Sequence, residues 1–140
     1  MRALTITALV LLATTLQAAA QNNSFDGNWR STLTCPPTSQ SDGAKGYDYV
    51  LSTRITDGLL RATRGTEGEP GWQYLHGKIE ADGSASLVLD GIVNLQEYAI
   101  GKSPKGKSFT YPVTAKFTPT SGVGQRMTGR ACNFVFVRLP

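Results

Sequence analysis

The chain has 140 residues with 14 Lys and Arg against 10 Asp and Glu, a formal charge of +4, and its charges are scattered along the sequence. That distribution argues against a nucleic-acid face, which gathers basic residues on one element with aromatic platforms between them. A single histidine and two cysteines without CxxC spacing leave no basis for a zinc site, and no cofactor is expected.

The N-terminus has the pattern of an export leader. Arg2 is followed by an apolar run from Ala3 to Leu16 and by small residues at Ala18, Ala19 and Ala20. The run is short for a membrane span of about 20 residues, so residues 1–20 are expected to be a cleaved signal peptide, with no span remaining. Cleavage near Gln21 removes Arg2 and no acid, taking the charge from +4 to +3. The mature protein is then expected to be secreted or periplasmic. Residues 21–140, roughly 120 in number, are enough for one domain with one core. Asn22-Asn23-Ser24 fits the glycosylation pattern, which matters only in a host that glycosylates exported proteins.

From Phe25 onward the apolar period is two. In the first strand Trp29, Ser31, Leu33 and Cys35 share a face, and Pro36-Pro37 stops it. In the second, Tyr47, Tyr49, Leu51, Thr53 and Ile55 share a face, and Asp57-Gly58 is a two-residue hairpin signal. Leu59 to Arg64 follows, then a loop from Gly65 to Gly71. The fourth strand runs from about Trp72 to Glu80, and Asp82-Gly83 turns into Ser84 to Asp90. Between Gly91 and Lys107 the pattern weakens to either one helical turn or an irregular loop. Phe109, Tyr111, Val113, Ala115 and Phe117 then alternate, and Val123–Gly129 and Ala131–Arg138 complete about eight strands.

Cys35 ends the first strand and Cys132 starts the last. Two cysteines in an exported chain are most simply one disulfide, and this one would hold the first and last strands together. The fold class expected is therefore all-β: an eight-stranded antiparallel up-and-down barrel rather than a sandwich, because closure removes the edges those strands would expose. Whether its interior is hollow or filled stays open. The last strand is apolar on both faces, with Phe134 and Phe136 opposite Val135 and Val137, so one face needs cover from a loop or a partner subunit, and a homodimer is an expectation.

Gly101 to Ser108 satisfies the GxxxxGK[ST] pattern. A phosphate loop opens a helix, however, and here Phe109-Thr110-Tyr111-Pro112 continues as a strand, so a solvated basic loop is expected. His76 lies in a strand with no nucleophile and acid at telling spacing, and Glu67 and Glu69 are close neighbours in a Gly-rich loop. The chain is not expected to be an enzyme. Trp72, Tyr74 and His76 share one face of the fourth strand, and Leu75 and Ile79 share the other. If the Trp72 face points inward, it lines a pocket; if it points outward, it forms an aromatic patch for a protein or glycan. Trp72, Tyr74, Tyr49, Tyr111 and His76 are the candidate ligand contacts. A non-enzymatic barrel binding a small, partly apolar molecule is the leading expectation. The alternative is a module binding an envelope or extracellular protein, such as an inhibitor of an exported hydrolase, through the Gly65–Gly71 and Gly101–Ser108 loops.

Gly27-Asn28-Trp29 and the strand plan resemble the calycins, the group of the lipocalins and avidins. The resemblance implies that Trp29 plugs one barrel end with Arg138 across it, Arg130 being the second choice. The lipocalin helix and middle motif are missing, and the biotin-contacting set of avidins has no residue-by-residue match, so biotin binding is not implied. The Phe-Asp-Gly-x-Trp strand ending in cysteine, Phe25 to Cys35, and the Gly-Thr-Glu-Gly-x-Pro-Gly-Trp loop, Gly65 to Trp72, also resemble a family of small exported bacterial proteins of unassigned function. That resemblance implies a compartment and no activity.

Overall fold

A computed structural model describes residues 24–39, 43–126 and 128–140. The expected leader and Asn22 lie outside the described residues. The strands are β1 (Gly27–Cys35), β2 (Tyr47–Thr56), β3 (Leu59–Arg64), β4 (Gln73–Ile79), β5 (Ser84–Ile92), β6 (Ser108–Phe117), β7 (Ser121–Arg126) and β8 (Cys132–Arg138). Each pairs antiparallel with the next, and β1 pairs with β8 from Trp29↔Arg138 to Thr34↔Asn133, so the sheet closes into a barrel. The Cys35–Cys132 disulfide staples this seam at one end.

Strict two-residue alternation builds the core. Leu33, Leu51, Leu75, Leu89, Val113, Phe134 and Phe136 are buried, while their strand neighbours face solvent. The Leu75 face of β4 is the inward one. Val123, Val135 and Val137 face out and are about half exposed.

The two ends of the barrel differ. At the lower end the connections are tight. Asp57 and Gly58 both take positive φ, 52° and 74°, as a two-residue hairpin turn requires. The Asp26 carboxylate accepts from both turn amides, at 2.9 and 3.1 Å. Trp29 closes this end, buried to 1% and donating from Nε1 to the Phe25 carbonyl at 2.8 Å. Phe117 packs edge-on against it at 5.8 Å, and Arg138 lies 6.0 Å from its ring while donating to the Asp26 and Pro119 carbonyls. Gly122 and Gly124 of β7 leave room for the Phe117 and Phe136 rings: a Cβ on Gly122 would sit 2.7 Å from Phe117 Cδ1. The lower barrel is thus filled with side chains.

The upper end carries the long connections, described at residues 36–39, 43–46, 65–72, 93–107 and 128–131. The stretch with the weak pattern, 93–107, contains two short 3-10 turns, Gln96–Tyr98 and Ile100–Lys102. Backbone hydrogen bonds moor it: Lys45 N donates to Glu97 O at 2.8 Å, and Gly106 N to Val93 O at 2.9 Å. Gly101–Ser108 runs from the second of these turns into β6, so no helix follows the GKS sequence to hold a phosphate.

Candidate functional site

The inward faces change character towards the upper end. Aliphatic residues of the middle barrel give way to Tyr47 and Tyr49 on β2, Gln73 on β4, Phe109 and Tyr111 on β6 and Arg126 on β7. Under the 93–107 loop they enclose a cavity of about 290 Å³. Gly91, opposite Phe109 across the β5–β6 pair, lets that ring lie flat on the strand, since a Cβ there would come within 2.7 Å of Phe109 Cε2. Phe109 and Tyr111 are 5.3 Å apart, Tyr47 and Tyr49 4.6 Å, and Tyr98 reaches Tyr47 from the loop at 6.3 Å.

Three guanidinium groups sit among these rings. Arg126 lies 3.3 Å from the centre of the Tyr111 ring and Arg64 3.6 Å from that of Tyr49. Arg64 also donates to the Gly71 carbonyl at 2.9 Å, which ties the 65–72 loop to the aromatic wall. Arg130, at the root of β8, donates to the carbonyls of Lys45 and Tyr98 at 3.2 and 3.4 Å, and so joins two loops. Arg126 and Arg130 are 3% and 4% exposed. Burial pushes the Arg126 pKa down from its ordinary value, and pushes that of the Tyr47 phenol up. The phenol therefore stays neutral, and able to donate a hydrogen bond, at neutral pH.

The structure separates the five contacts expected from sequence into two places. Tyr49 and Tyr111 line the cavity. Trp72, Tyr74 and His76 do not; Tyr74 and His76 project from the outer face of β4, where Leu75 takes the inward place, and Trp72 stacks beside them. The rings form a ladder, Trp72 on Tyr74 at 6.1 Å and Tyr74 on His76 at 4.7 Å, nearly parallel. His76 Nε2 lies 3.0 Å from Asp90 Oδ2, and the Thr110 hydroxyl donates to Asp90 Oδ1 at 2.7 Å. These contacts are cross-strand pairs on the outside of β4, β5 and β6, of the kind that stabilises a sheet.

Tyr47, Phe109, Arg126 and Arg130 were not among the expected contacts. Tyr47 and Phe109 had a usable signal, since each shares an inward parity with an expected tyrosine. Arg126 had none, because a basic residue near a strand end reads as solvated until the closed barrel turns it inward. No known protein family, curated protein or solved structure matches this chain.

Proposed function

We propose that this protein is a non-enzymatic, exported barrel that binds a small, partly apolar molecule at its upper mouth. The observation that carries the reading is the contrast between the two ends: a plugged lower barrel beneath a cavity of about 290 Å³ walled by tyrosine and phenylalanine. Small eight-stranded barrels either fill their interior with side chains or hold one ligand, and this one divides the two along its axis. Aromatic walls supply apolar contact area, and the phenols orient a polar group of the ligand. The resemblance to the calycins favours the same use of the barrel. Export is supported by the leader-like N-terminus and by the disulfide, which persists in oxidising compartments. His76 favours the non-enzymatic reading by its place, on the outer sheet face beside Asp90 and Tyr74 and outside the cavity lining, where it offers no base to a molecule bound in the cavity.

Native mass spectrometry of protein purified gently from its own cell tests the proposal. Wild type is expected to carry an additional small-molecule mass, and Ala99→Trp, which places an indole in the cavity from the loop, is expected to lose it. Additional mass retained by Ala99→Trp would move the ligand elsewhere. A bare mass in both, with an envelope protein captured through the Gly65–Gly71 and Gly101–Ser108 loops, would favour the protein-binding alternative.

A further inference from the structure

We propose that the occupant of the mouth cavity is an organic carboxylate, its charge held by Arg126 and Arg130 and its apolar body by Tyr49, Phe109 and Tyr111. The inference rests on the small-molecule reading above and names the ligand class for that site.

The first ground is local charge. The cavity lining includes Lys107, Arg126 and Arg130 and no Asp or Glu, in a chain whose acids and bases are otherwise close in number. On the outer surface cations and acids meet, as in Lys45–Glu97, Lys78–Glu80 and Lys116–Asp82. Here they do not.

The second ground is the cost of those cations. Arg126 Nε donates to the Thr128 carbonyl at 3.2 Å, and its other partners are neutral groups: the Tyr111 ring, the Tyr47 phenol and, at 3.9 Å, Cys132 Sγ. Arg130 hydrogen-bonds to carbonyl oxygens alone and faces the Tyr47 ring at 5.5 Å, and its buried Nε has no hydrogen-bond partner. Among the described residues no carboxylate pairs with either arginine. A desolvated guanidinium facing only dipoles is unfavourable until an anion completes it, and a planar carboxylate matches its fork.

The third ground is the wall. A bare inorganic anion would leave the aromatic faces in water, whereas an acid with an aryl or short alkyl body covers them. The cavity's volume limits that body to a small molecule.

Isothermal titration of the purified protein with 2-naphthoate, its neutral amide 2-naphthamide and inorganic phosphate separates these claims. Naphthoate is expected to bind at least about tenfold more tightly than naphthamide, as a charge-assisted contact in a desolvated site requires, and phosphate more weakly than naphthoate. Arg126→Gln is expected to bring naphthoate down to the level of naphthamide; the wild-type comparison decides the matter even where that variant does not fold. Equal binding of acid and amide would overturn the carboxylate and leave the pocket standing. Phosphate binding as tightly as naphthoate would overturn the apolar body. Binding of neither naphthalene compound would remove pocket and carboxylate together.

Discussion

The guanidinium carbon of Arg126 lies 3.3 Å from the centre of the Tyr111 ring, inside the barrel and 3% exposed. Stacking on an aromatic face offsets part of the cost of burying a charge, but it does not replace a counter-ion. Arg126→Met should therefore leave the stability of the ligand-free protein unchanged or raise it by up to about 4 kcal/mol, since a buried unpaired charge gives way to an apolar side chain of similar length. Urea unfolding of the two proteins checks this. A loss of several kcal/mol would show that Arg126 is chiefly a structural residue.

The Cys35–Cys132 bond closes a sequence separation of 97 residues. Replacing both cysteines by alanine should cost up to about 4–5 kcal/mol on the chain-entropy account of a loop this long. The barrel should nevertheless stay closed, because the β1–β8 ladder from Trp29 to Thr34 does not depend on the bond. Denaturant midpoints give the first quantity, and amide exchange of the β1 and β8 backbone gives the second.

Gly91→Ala tests the wall of the site. The added methyl would overlap the Phe109 ring and push it off β5. Forced repacking of this kind costs about 1–3 kcal/mol. Ligand affinity should fall with stability, and Phe109→Ala in the same chain should recover the stability but not the affinity. A double-mutant cycle read by thermal unfolding and by titration separates the two effects.

Acid should weaken the outer ladder before the core. The Thr110 hydroxyl, and after it His76, hold the Asp90 carboxyl below the ordinary carboxylate value. A carboxyl with a lowered folded pKa stabilises the protein fully above its unfolded value of about 3.9, and that contribution disappears as pH falls through the folded value. Asp90→Asn should therefore lose stability less steeply than wild type below about pH 5. Identical acid limbs would mean that the Asp90 contacts add nothing in solution.

Much of the architecture was legible along the chain, because period-two alternation, turn dipeptides and cysteine placement are local signals. Asp57-Gly58 marked its own turn, and Trp29, Leu33, Leu51 and Phe134 marked their own face. β4 was not legible, since Tyr74 and His76 on one face and Leu75 and Ile79 on the other make both faces apolar enough to be buried. The neighbours decided between them: Leu75 stands between Ala62 and Leu89, both fully buried, and that alignment turns Tyr74 and His76 outward.

The amino-acid sequence by itself determined an all-β chain whose first and last strands each carry one cysteine, because strand periodicity and turn chemistry act over a few residues. Only the tertiary structure decided that the lower barrel is filled and that the upper end holds a cavity under the 93–107 loop. It alone gathered Tyr47, Tyr49, Phe109, Tyr111, Arg126 and Arg130, from β2, β6, β7 and the root of β8, around one cavity. The register of eight strands around a closed ring sets which inward residues share a level, and no local pattern in the chain encodes that register.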